Sequence, residues 1–228
     1  MAQFANLGKS PPSDFCQSTR EGILQIHQGL AAWQATGAEV SRPYFLALLA
    51  ETHGKRGQAK EGLGALAEAL ATVDKTEERF YEAELHRLKG ELTLQQWKVE
   101  SRKSKFPNTQ HPTPSTQAEA EAEACFLKAL EISRRQQAKS LELRATMSLA
   151  RLWQQQGKRD EARNMLAEIY NWFTEGFETK DLQEAKALLG ELEGLERQRQ
   201  SERQRRKKSS GDQLVTKKTV KGEKAKRR

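Results

Sequence analysis

At 228 residues, 36% of them hydrophobic and 31% charged, the chain has room for one ordinary domain plus tails. No apolar run approaches the ~18 residues that a membrane-spanning helix needs, so insertion into a bilayer is not expected. The net charge of +8 is uneven: Arg197–Arg228 holds 14 Lys and Arg against 3 acids, which leaves 25 bases against 28 acids in residues 1–196. Ala, Leu, Glu, Gln, Lys and Arg dominate and β-branched runs are nearly absent, which points to an all-α fold. Cys16 and Cys125 match no metal spacing and are expected to stay thiols in a reducing cytoplasm.

In chain order, residues 1–19, with Pro11, Pro12 and Ser13, read as an irregular segment. The first helix is expected from Gly22 to Thr36. It opens a repeat that recurs at a spacing of 40 residues: Glu21–Leu30 aligns with Glu61–Leu70, and Glu121–Leu130 with Glu161–Tyr170. Between the second and third copies the step is 60, one period plus a 20-residue insertion. Each copy sets a small residue (Gly22, Gly62, Ala122, Ala162) four positions before a bulky one (Ile26, Leu66, Phe126, Leu166). In three copies a small residue follows (Gly29, Ala69, Ala129), so one helix face lets a partner helix approach closely, with Leu30, Leu70 and Leu130 beside it. Ile169 breaks the pattern in the fourth copy.

The partner helices are expected over Pro43–Lys55, Glu77–Gln96, Lys139–Gln156 and Lys180 to about Gln198. Gly57 and Gly157 stand where a positive φ would end a helix. Residues 98–115, with Pro107, Pro112 and Pro114, read as a disordered insertion, after which Thr116 and Glu119 have the spacing of a capping box. The helical body is therefore 20–196, with about eight helices, and the basic residues 197–228 form a disordered tail.

Leu46, Leu49, Ala50, His53, Gly57, Gly62, Leu66, Ala69 and Leu70 stand at the spacings of the tetratricopeptide consensus, and Leu149, Ala150, Trp153, Gly157, Ala162 and Leu166 repeat it. The split pair matches through Gly90, Ala122, Phe126, Ala129 and Leu130. The body thus resembles a tetratricopeptide repeat, which implies a short right-handed superhelix of antiparallel helix pairs. Pro43–Glu51, Glu82–Leu92, Ala118–Gln137 and Arg151–Leu189 further resemble the carboxy-terminal repeats of large bacterial signalling ATPases that carry a nucleotide cyclase or other output domain. That likeness implies a sensor or scaffold arm for signal transduction. The chain has no Gly-x4-Gly-Lys-Ser/Thr phosphate loop, so no enzymatic activity is expected of it.

In such arrays the first helix of each pair lines a groove. The matching positions are Tyr44, Glu51, Lys55, Glu84, Arg87, Glu91, Arg144, Arg151 and Gln155. Among them Arg87, Arg144, Arg151 and Lys55 would hold an acidic peptide or a terminal carboxylate, the alternative being a solvated face of mixed charge. A protein or peptide partner is expected, and no metal or cofactor, since His27, His53, His86 and His111 share no ligand spacing. The first helix lacks an upstream neighbour, and the expectations that follow are a separated carboxy-terminal piece that completes a split ATPase, or self-association through the face left open. The tail would touch nucleic acid weakly through phosphate charge alone, or simply solubilise the chain.

Overall fold

The computed structural model describes residues 13–37, 40–103 and 114–194, and among these it contains eight helices and no strand. They are α1 (Ser13–Ala35), α2 (Arg42–Lys55), α3 (Ala59–Thr76), α4 (Glu82–Lys103), α5 (Pro114–Arg135), α6 (Lys139–Gln156), α7 (Arg159–Tyr170) and α8 (180–194). The expected tail and the centre of the expected insertion, 104–113, lie outside the described residues. The chain divides into two compact units, Met1–Leu152 and Trp153–Arg228.

In the first unit α2 pairs with α3 and α4 with α5, while α2 also meets α4. The core is built from Leu46, Leu49 and Ala50 of α2, Leu66, Ala69 and Val73 of α3, and Leu85, Leu88 and Leu92 of α4. Each buried leucine contributes roughly 1.5–3 kcal/mol by leaving water. Two glycines permit the close approach the repeat predicts. A Cβ on Gly62 would lie 2.6 Å from Leu92 and 3.0 Å from the Ala50 carbonyl oxygen, and one on Gly90 would lie 2.6 Å from the Phe126 ring. Helix α1 packs on this core through Ile23, Ile26 and Leu30, each only half-buried.

Helix ends keep a finer period than the 40-residue repeat. Residues 37, 57, 77, 137 and 157 all have positive φ, so the chain turns every 20 residues on either side of the insertion. Gly57 and Gly157 take this conformation without strain, but Glu77 and Gln137 adopt it with φ of 58° and 56°. Glu77 ends α3 with its N–H on the Val73 carbonyl oxygen at 2.8 Å, which is why α4 starts at Glu82 and not at Glu77.

Three other boundaries differ from expectation. Helix α1 begins at Ser13, inside the segment expected to be irregular, because Pro12 precedes a run that nothing interrupts before Gly22. Helix α4 runs on to Lys103, since Lys98–Lys103 contains neither Gly nor Pro, and Gln96 donates to Glu100 at 2.9 Å. Helix α5 starts at Pro114, ahead of the Thr116 box: proline has the φ of a helix and its missing N–H goes unneeded in the first turn.

In the second unit Ala162, Leu166 and Ile169 of α7 are buried, as are Leu182, Ala185, Leu188 and Leu192 of α8. Between them residues 171–179 form an irregular turn where the Tyr170 and Phe177 rings lie 5.8 Å apart.

Candidate functional site

The first helices of the pairs carry the groove positions at helical spacing. Tyr44, Glu51 and Lys55 share a face of α2, Glu84, Arg87 and Glu91 a face of α4, and Arg144, Ser148 and Arg151 a face of α6. Gln155 continues that phase along α6 and is exposed, but it belongs to the second unit.

Side-chain chemistry joins these faces within the first unit. The buried Arg87 guanidinium makes a two-pronged pair with the buried Glu84, Nε to Oε2 at 2.8 Å and Nη2 to Oε1 at 2.7 Å. Its Nη1 reaches Glu91 at 2.6 Å and Ser148 Oγ at 3.4 Å. Ser148 donates to Glu91 at 2.7 Å, and Arg144 closes on Glu84 at 3.0 Å, so α4 and α6 are tied by one charged network. Burial disfavours the charged Arg87, but the Glu84 and Glu91 carboxylates outweigh it and hold Arg87 firmly protonated.

Helix α2 joins through longer-range charge. Burial acts to raise the Glu51 pKa, yet the Lys55 ammonium at 2.9 Å, with Arg144 and Arg87 beyond it, leaves the carboxyl below its ordinary value. Tyr81, at the mouth of α4, is pushed up by burial and by the Glu84 charge, and its hydroxyl accepts from Arg144. The Tyr44 ring meets the Tyr81 ring edge-on at 4.9 Å.

The nine positions expected from sequence therefore separate. Glu84 and Arg87 are interior, at 2% and 7% exposure, and hold each other. Glu51, Glu91 and Arg144 are partly covered, whereas Tyr44, Lys55 and Arg151 face solvent. Sequence reasoning missed Ser148 and Tyr81. A signal for Ser148 was present: it occupies the position held by Leu48 and Leu88 in the preceding repeats, where a hydroxyl has no packing reason to stand.

His53 Nδ1 lies 3.2 Å from Gln58 Oε1 and its ring meets that of His27 at 6.4 Å, while burial lowers the His86 pKa. Cys125 is buried and its thiol pKa is raised by burial. Among the described residues no three His, Cys, Asp or Glu come together as a metal site, and no helix is long and apolar enough to cross a membrane.

Solved structures of similar shape are repeat proteins. The chain resembles the putative kinesin light chain of Podosopora anserina with nearly identical TPR-like repeats, at 18% identity, a TM-score of 0.52, and coverage of 80% of this chain and 81% of that one. A single-substitution variant of that protein matches at 18% identity, a TM-score of 0.53 and the same coverage. The fold is TPR-like. No family model matches the chain, and neither does any curated protein. At this identity the likeness speaks for the helical repeat architecture alone.

Proposed function

We propose that the chain is a non-catalytic protein-interaction scaffold, whose binding face is the one carried by α2, α4 and α6. The observation that supports this most is the charged network of Glu84, Arg87, Glu91, Arg144 and Ser148. Buried charges are costly unless fully paired, and here the pairing fixes two first helices in register beneath an exposed rim of Tyr44, Lys55 and Arg151. A face fixed before binding loses less entropy when a partner docks.

The partner is an extended or helical protein segment, held by the rim. Because Arg87 is interior and held by Glu84 and Glu91, recognition of an acidic partner falls to the solvent-exposed Lys55, itself paired with Glu51, and Arg151. The likeness of Pro43–Glu51 and Glu82–Leu92 to the repeat arms of bacterial signalling ATPases supports a place as the sensor or scaffold arm of such a system.

A photo-crosslinking residue placed at Tyr44 or Arg151, with Leu127 on α5 as the outer-face control, tests the reading. A partner captured in cells from the first two positions and not from Leu127 supports it. Equal capture from all three, or capture from Leu127 alone, overturns it.

A further inference from the structure

Of the large hydrophobic side chains among the described residues, Phe80, in the turn ahead of α4, is the most exposed, at 78%. Its ring lies 6.3 Å from that of the half-buried Tyr81, which in turn meets the exposed Tyr44 ring edge-on at 4.9 Å. Beyond Tyr44 the row continues through Phe45 at 5.4 Å to Trp33 at 5.9 Å. A half-buried ring at the mouth of α4 thus links two rings that keep much of their surface in water.

The polar groups around these rings are donors that face outward. Arg79 pairs with Glu82 at 3.2 Å and Arg144 with Glu84 at 3.0 Å, and in both pairs the carboxylate is buried while the guanidinium reaches solvent. Arg144 also donates to the Tyr81 hydroxyl. The charge that these pairs present to a partner is therefore positive. A segment that fits must lay apolar surface on the rings, offer carbonyl oxygens to the guanidinium and tyrosine donors, and bring few N–H groups in need of acceptors. Proline wound as a polyproline II helix meets all three demands: its ring is apolar, its nitrogen carries no hydrogen, and its carbonyls make no internal hydrogen bonds. One turn of that helix is three residues at ~3.1 Å each, comparable with the two ring-to-ring steps from Tyr44 to Phe80.

None of the six prolines of these 228 residues fits that place. Pro43 is buried in α2, and Pro114 opens α5. Pro11 and Pro12 adjoin Ser13, at the opposite end of α1 from Trp33, and Pro107 and Pro112 follow the end of α4 opposite Tyr81, a helix length of ~33 Å away at ~1.5 Å per residue. Neither 1–12 nor 104–113 contains an Asp or Glu, while 197–228 lacks proline and carries the same sign as the arginines.

We infer that Tyr44, Tyr81 and Phe80 form the seat for a proline-rich segment of another protein, wound as a polyproline II helix and carrying acidic residues beside its prolines. The prolines pack on Tyr44 and Phe80 over Tyr81, and the acidic side chains meet Arg79 and Arg144. This names the partner chemistry of the face carried by α2, α4 and α6, and it rests on that reading only where the segment runs on towards Lys55 and Arg151.

Fluorescence anisotropy of labelled peptides on the full chain tests this, with six prolines flanked by four glutamates on either side as the probe and the same peptide with alanine for proline as its comparison. The proline peptide is expected to saturate below about millimolar, and the alanine peptide to bind at least about tenfold more weakly. Phe80→Ala should weaken the proline peptide about tenfold with the helical signal and melting temperature unchanged, since that ring is exposed, and Leu127→Ala should leave binding as it was. Arg79→Glu should weaken the flanked peptide and spare a plain run of prolines. No binding of the proline peptide overturns the inference, and so does equal binding of the alanine peptide, which assigns the face to a helical partner. Binding that survives Phe80→Ala but falls with Arg151→Glu overturns the seat and leaves the groove reading standing. Binding that falls with Phe80→Ala and ignores Arg151→Glu supports the seat and counts against the groove.

Discussion

Helices α1 and α3 carry the same pattern forty residues apart, yet Leu66 is fully buried and its counterpart Ile26 is not. Ala69 is enclosed where Gly29 is exposed, and Val73 is 1% exposed where Trp33 is 39%. The pattern decides which stripe of each helix is apolar. Whether the stripe becomes core depends on a neighbour, and in a stacked repeat that neighbour comes from elsewhere in the chain or from outside it.

If cover and not pattern sets the energetics, equivalent substitutions in the two helices must differ. Leu66→Ala should cost about 2–5 kcal/mol by leaving a cavity, and Ile26→Ala roughly half of that or less, as read from urea unfolding. Equal losses would mean that α1 is covered in solution. Arg87→Ala, at the centre of the covered block, should cost about 3 kcal/mol by the same measurement, because Glu84 would stay buried with only Arg144 beside it. The matching truncation of the exposed Lys55 should cost under about 1 kcal/mol.

Gly62→Ala forces a Cβ against Leu92 and should destabilise by about 1–3 kcal/mol, whereas Gly22→Ala should stabilise by up to about 1 kcal/mol through helix propensity alone. Opposite shifts in melting temperature are the expected result. Gln137→Gly relieves a left-handed residue at the end of α5 and should add about 1 kcal/mol, while the same change at an exposed helical site such as Gln25 should lose a comparable amount.

The smallest effect is a pH dependence confined to the covered helices. Burial raises the Glu142 pKa, but Lys139 at 2.7 Å and Arg134 at 2.8 Å bring it below the ordinary 4.5, and Glu51 is likewise lowered. A carboxyl lowered in the folded state contributes stability that is present in full above 4.5 and lost as pH falls through the folded value. Unfolding midpoints measured from neutral pH downward should therefore decline below about that point, and less steeply in Glu142→Gln.

Much of the fold was legible because the relevant physics is local. Helix α6 falls on Lys139–Gln156 as its periodicity indicates, and Gly57 and Gly157 turn the chain where a positive φ was expected. The start of α4 was misplaced for a reason that is not local. Glu77 takes a conformation its side chain disfavours, held in a loop where the neighbouring Glu78 carboxylate accepts the Ser41 N–H at 2.9 and 3.0 Å, so no local signal marks the start of α4. The groove positions were recoverable from phase, but the division into interior and rim residues was not. Arg87 and Arg151 look alike as residues in a repeat, and only the approach of α6 to α4 buries one beside Glu84 and leaves the other exposed.

By itself the sequence determined that the chain is helical, that it repeats every forty residues, and which stripe of each helix is apolar, because propensity and periodicity act over a few turns. The tertiary structure alone decided which stripes are covered and which charges are neutralised. Burial and ion pairing depend on atoms brought together from distant parts of the chain, such as Arg87 and Ser148, 61 residues apart and 3.4 Å from each other.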